Sequence, residues 1–112
     1  MESAVDLFSM QGKTVLITGA SSGFGHHFAG VLAAAGANVV LGARRVEKIA
    51  DRVAEIKAKG FEATGFTLDV LNPESCQAFL DQAEQQYGSL DVLVNNAGVE
   101  SGAKTYATID ED

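Results

Sequence analysis

Short β-branched runs alternate with segments of helical spacing along this chain, and glycines mark most of the changeovers. Residues 14–18, Thr-Val-Leu-Ile-Thr, read as a strand buried on both faces. Phe24, Phe28, Val31, Leu32 and Ala35 follow at helical spacing, and Gly36 ends that helix. Residues 39–41 form a second strand. Val46, Ile49, Val53 and Ile56 then make one apolar stripe, with Glu47, Lys48, Asp51, Arg52 and Glu55 turned mostly to water, until Gly60 stops the helix. A weaker third strand spans roughly 62–68, interrupted by Gly65. The third helix has the clearest start: Asn72 as cap, Pro73 at the first helical position, Glu74 at the positive end of the dipole. Cys76, Phe79, Leu80, Ala83 and Tyr87 are its buried face, Gly88 closes it, and 90–94 is a fourth strand. Strands alternating with helices dictate βαβ units, a parallel sheet and right-handed crossovers.

At 112 residues the chain (1–112) is expected to be one domain with a modest core. The net charge of −7 argues against nucleic acid or an anionic membrane, either of which calls for a basic face. The single cysteine, Cys76, cannot form an internal disulfide, and the acidic start Met1-Glu2-Ser3-Ala4-Val5-Asp6 is unlike a signal peptide. No apolar run reaches the roughly 18 residues of a membrane helix. A cytoplasmic location is the expectation.

The turn between the first strand and helix carries the chemistry: Thr18-Gly19-Ala20-Ser21-Ser22-Gly23-Phe24-Gly25. Glycines permit a tight turn, close approach of a ligand, and packing of the helix on the sheet. The helix start offers unpaired N–H groups and a positive dipole end to a pyrophosphate, and Ser21 and Ser22 add hydroxyls. A glycine trio alone is weak evidence; between a buried strand and an amphipathic helix it is strong. An ATPase-type phosphate loop needs Gly-Lys-Ser/Thr, whereas His26 follows Gly25. A methyltransferase-like site calls for an acid after the second strand, and none stands there.

The spacing Thr-Gly-x-x-x-Gly-x-Gly resembles that of the short-chain dehydrogenase/reductase family. Asn95-Asn96-Ala97-Gly98 after the fourth strand and Asp69-Val70 after the third are similar to that family's second signature and adenine-contacting pair. The resemblance spans residues 8–112. It implies a Rossmann-type doubly wound α/β sheet, incomplete here, of about four strands in the order 3-2-1-4. It also implies a nicotinamide cofactor contacted by Gly19, Ser21, Ser22, Gly23, Phe24, Gly25, Asp69, Val70, Asn96, Ala97 and Gly98, with Asn95 tying the end of the fourth strand to a neighbour. Read from the residues alone, the Asn pair is also an ordinary turn signal, and Asp69 an ordinary loop acid.

Cofactor choice is expected at the end of the second strand. Ala43 offers no acceptor to a ribose 2′-hydroxyl, while Arg44 and Arg45 can meet a 2′-phosphate in charge-assisted contacts. NADP(H) is therefore expected over NAD(H), which stays possible; the alternative is that both arginines cap a solvated loop, Arg45 pairing with Glu47. His26 and His27, adjacent on a helix, point apart and cannot share a metal, so no metal site is expected. Cys76 reads as core.

The family implies a tyrosine acid/base with a lysine four residues on, whose charge lowers the tyrosine pKa, and a serine upstream. Here Asp91 follows Tyr87 at that spacing and Asp110 follows Tyr106, so no catalytic residue is assigned. The resemblance thus implies the cofactor-binding half of an enzyme acting on an alcohol or carbonyl, with its catalytic and oligomer-forming parts beyond residue 112. By itself the chain is expected to be inactive. A short chain that only binds nucleotide, as sensor or interaction module, is the alternative. An expected uncovered edge along the fourth strand and half-covered sheet faces argue against it.

Overall fold

β1 (Thr14–Thr18) is buried along its whole length and forms the centre of a sheet ordered β3-β2-β1-β4-β5. The computed structural model describes residues 9–21 and 23–96, together with the backbone of 106–109. The elements are α1 (Gly23–Ala34), β2 (Asn38–Ala43), α2 (Glu47–Ala58), β3 (Ala63–Thr67), α3 (Pro73–Tyr87), β4 (Val92–Asn95) and β5 (Tyr106–Ile109). β1 to β4 are parallel and keep the order 3-2-1-4, so the expected Rossmann-type arrangement is present. β5 pairs antiparallel with β4 from Val92↔Ile109 to Asn95↔Tyr106. The expected uncovered edge along the fourth strand is thereby corrected, because β5 supplies its backbone partners.

Alternation along each strand sends side chains to two cores. Val15, Ile17, Val39, Leu41, Ala63 and Val94 meet Ala29 and Ala33 of α1 and Ile49 and Ile56 of α2 on one face. Leu16 and Val40 meet Phe79 and Ala83 of α3 on the other. Two helices cover one face and one the other, which is what right-handed crossovers in this strand order produce.

Three local expectations are corrected. Gly65 does not interrupt β3; it stays in the strand, where a Cβ would come within 3.0 Å of Ile49 Cδ1, so its bareness lets α2 approach. Val46 precedes α2 as an uncapped, exposed residue instead of joining its buried stripe. Phe24 and Val31 are 51% and 50% exposed, because they point away from the sheet, and Phe24 stacks on Phe28 at 5.6 Å. The start of α3 agrees with the sequence: Asn72 Oδ1 accepts from Glu74 N–H at 2.9 Å and Ser75 N–H at 3.2 Å.

At the amino end of β1, the Asp91 carboxylate accepts from Thr14 N–H at 2.8 Å, and Asp91 N–H donates to Thr14 O at 3.0 Å. The Thr14 hydroxyl beside them is fully buried and has no hydrogen-bond partner among the described residues. An orphaned hydroxyl costs about 1–3 kcal/mol. Thr14→Val, which exchanges it for a methyl of the same shape, should stabilise the protein by about 1 kcal/mol in urea unfolding. A lower midpoint than wild type would contradict this.

Candidate dinucleotide site

All four parallel strands end at one side of the sheet, and the loops that follow them meet there. β1 lies between β2, reached by the first crossover, and β4, so the strand order reverses between β1 and β4. Open α/β sheets bind ligands in the crevice at that point, outside the carboxyl ends of the strands.

The turn after β1 is fastened from both sides. Gly19 takes φ +61, a left-handed conformation that bulkier residues avoid. Ala20, fully buried, donates its N–H to Gly42 O of β2 at 3.1 Å. On the other side the Asn96 side-chain amide donates to Gly19 O at 3.1 Å. Asn96 N–H donates to Thr18 Oγ1 at 3.0 Å, while the Thr18 hydroxyl donates to Asn95 Oδ1 at 3.0 Å. Thr18 is thus the hub joining β1 to the Asn pair, a role the motif alone did not assign; a hydroxyl both donates and accepts, which this position demands. The tie expected of Asn95 is present.

α1 starts beside this turn, and Gly25 lets it come close. A Cβ at Gly25 would meet Asn96 Nδ2 at 2.8 Å, Ala20 Cα at 3.0 Å and Gly19 O at 3.1 Å. Gly23, by contrast, has open space around it, and both it and Ser21 are exposed. Phe24 stands outside the core next to them. Ser22, Ala97 and Gly98 lie outside the described residues.

At the end of β2, Ala43 is buried, and Arg44 and Arg45 turn to solvent. Arg45 Nε lies 4.0 Å from Glu47 Oε1, a long and exposed pairing of the kind its alternative reading names. Among the described residues Arg44 has no carboxylate within ion-pair distance. At the end of β3, Asp69 Oδ1 accepts from Leu71 N–H at 3.0 Å, and Asp69 N–H donates to Ser75 Oγ at 2.9 Å. Asp69 therefore shapes its own loop, which holds Val70 in the open.

Tyr87 is removed from this edge. Its hydroxyl donates to Glu62 Oε2 at 2.9 Å and lies 2.7 Å from Thr64 Oγ1, near the opposite end of β3. Burial, and to a lesser degree the Glu62 carboxylate, push its pKa up to about 12, against a lowering by Thr64. A general acid/base needs a pKa near the operating pH, and Tyr87 lacks it. Two concavities of about 380 and 340 Å³ also lie elsewhere, the first along the seam of α1 and α2, the second between Ser9, Gly36 and Gly60. The described residues contain no cluster suited to a metal ion and no helix long and apolar enough to cross a membrane.

Known proteins share this arrangement. The family model for short chain dehydrogenases matches residues 13–112. A 2-dehydro-3-deoxy-D-gluconate 5-dehydrogenase of Formosa agariphila is 37% identical over 97 residues, 86% of this chain and 37% of its own length. A short-chain type dehydrogenase/reductase of Mycobacterium marinum superposes with a TM-score of 0.74 at 38% identity, over 80% of this chain and 36% of that one. A metagenomic short-chain oxidoreductase in complex with NADP gives 0.70 at 38% identity, over 74% and 38%. The chain therefore spans little more than a third of the length of these relatives. With the strand order, the glycine turn and the Asn pair in place, the chain belongs to the short-chain dehydrogenase family.

Proposed function

We propose that this chain is the NADP(H)-binding, amino-terminal part of an oxidoreductase that moves a hydride between nicotinamide and an alcohol or carbonyl substrate. The observation that carries the cofactor choice is the end of β2: a buried Ala43 without an acceptor, followed by an exposed Arg44 with no acid beside it among the described residues. Ala20 N–H on Gly42 O fastens the glycine turn to the strand that carries this arginine, so two anion-binding elements share one edge.

The residues fit the cofactor. The turn around Gly19 and Gly25 and the start of α1, with Ser21, Ser22, Gly23 and Phe24, would take the pyrophosphate. Arg44, with Arg45 as a lesser contributor, would meet the 2′-phosphate. Asp69, Val70, Asn96, Ala97 and Gly98 would line the adenosine and ribose. Bound nicotinamide supplies the hydride chemistry. The acid/base tyrosine and lysine, the substrate contacts and the surfaces of a homo-oligomer would belong to a longer protein, so the 112-residue chain alone should not turn over a carbonyl. No observation favours a chain that only senses nucleotide.

Arg44→Ala tests the assignment. Losing a hydrogen bond to a charged group costs about 1.5–3 kcal/mol, so NADP(H) affinity should fall roughly 10- to 150-fold while NAD(H) affinity barely moves. Ala43→Asp should act the same way by repelling the phosphate and gripping the ribose hydroxyl. Arg45→Ala should matter less. Calorimetry at one salt concentration reads all three. Equal losses for both cofactors in Arg44→Ala would mean that the arginine merely supports its loop.

A further inference from the structure

Arg52 sits where the helical pattern turns it to water, yet its side chain is only 14% exposed. It leaves α2 and crosses to α1. Its Nε donates to the main-chain carbonyl of His26 at 2.8 Å, and the guanidinium lies over Gly30. A Cβ at position 30 would collide with Nη2 of Arg52. The Glu55 carboxylate holds the pair from the side, 3.6 Å from Arg52 Nη1 and 3.7 Å from His26 Nε2.

Glycine in a helix interior costs about 1 kcal/mol relative to alanine, and helix formation gives no reason for it at position 30. The seated guanidinium does. Gly30 is a notch cut for Arg52, and the two residues act as one device. Its position matters: His26 belongs to the first turn of α1, directly behind the glycine turn, while α2 begins three residues after Arg44. The contact links the two helices whose leading ends carry the pyrophosphate and 2′-phosphate subsites.

We propose that Arg52, seated on Gly30, is a positioning residue that sets the distance between these two phosphate subsites and so sharpens the preference for NADP(H) over NAD(H). The inference rests on the cofactor reading above. A ligand anchored at both subsites gains from their preorganisation, because less order has to be created on binding. NAD(H), which lacks the 2′-phosphate, uses only one of them and gains little. Arg52 itself need not touch the cofactor.

The test compares Arg52→Ala, Gly30→Ala and the double variant, in the longest chain the gene encodes, with NADP(H) and NAD(H) titrated calorimetrically on each. Each single variant should lower the NADP(H)/NAD(H) affinity ratio roughly 3- to 10-fold, the scale of ordering one mobile group. The double variant should do no more than either. Gly30→Ala is the decisive member, since it keeps the Arg52 charge and improves helix propensity while unseating the guanidinium. Its melting temperature should hold or rise as the ratio falls, a combination that a merely structural role does not give. An unchanged ratio in Gly30→Ala, or effects that add in the double variant, would overturn the proposal while leaving the Arg44 reading standing. A wild-type protein without NADP(H) preference would instead remove the reading on which the proposal rests, and the proposal with it.

Discussion

Gly25→Ala is expected to weaken both NADP(H) and NAD(H) by roughly 10- to 150-fold, the equivalent of one lost charge-assisted hydrogen bond. The methyl group would enter a space bounded by Asn96 Nδ2 at 2.8 Å, Ala20 Cα at 3.0 Å and Gly19 O at 3.1 Å. Two of those neighbours are main chain, so no side-chain rotation relieves the contact. Either α1 lifts from the turn or the turn moves outward, and in both cases the N–H groups of the proposed pyrophosphate site lose their alignment. The overpacking should also cost about 1–3 kcal/mol of stability. Gly23→Ala separates the two effects. Its Cβ meets nothing within 4 Å, so folding should be unaffected, but in the proposed site the cofactor approaches the backbone there, so affinity should drop. Thermal melts and calorimetry on the two variants read stability and binding apart. Wild-type affinity for both cofactors in Gly25→Ala would contradict the close helix–turn contact and the site built on it.

Phe79→Ala should have the largest effect on folding, a loss of about 3–5 kcal/mol. Phe79 is buried in the core under α3, in edge contact with Phe66 at 6.4 Å and against Leu68. Gly42 is bare to receive it: a Cβ there would lie 2.9 Å from Phe79 Cε1. Among the described residues one helix closes this face, so little else there can collapse into the void. A loss of that size consumes much of the 5–15 kcal/mol of an ordinary domain. Leu71→Ala, at a side chain 85% exposed in the same region, should stay within about 0.5 kcal/mol. Urea unfolding followed by circular dichroism measures both. A cost below about 1 kcal/mol for Phe79→Ala would mean that α3 does not pack as described.

Local chemistry made much of the fold legible in the residues alone. The strand 14–18 needed only its β-branched run, and α3 needed only Asn72, Pro73 and Gly88, because caps and turns are settled by neighbours close in sequence. The edge on which the glycine turn and the Asn pair come together followed from their places at strand ends, since a parallel sheet gathers those ends on one side. Side chains whose partners are remote in sequence could not be read that way. Phe24 and Val31 fit a helical period, yet face solvent because period alone does not say where the sheet ends. Gly65 resembles a break in β3 until Ile49 is seen to press against it. Thr18 is an ordinary strand residue until Asn95 and Asn96 arrive beside it from β4. Arg52 reads as a solvated charge, and only the packing of α1 beside α2 turns it inward, to a carbonyl 26 residues away. The sequence by itself determined the three helices and the four parallel strands, because backbone preferences and the apolar period act over a few residues, but not β5, whose place is set by pairing with β4. The tertiary structure alone decided which glycines are notches and which polar groups are ties, because such contacts exist only once distant segments have been brought together.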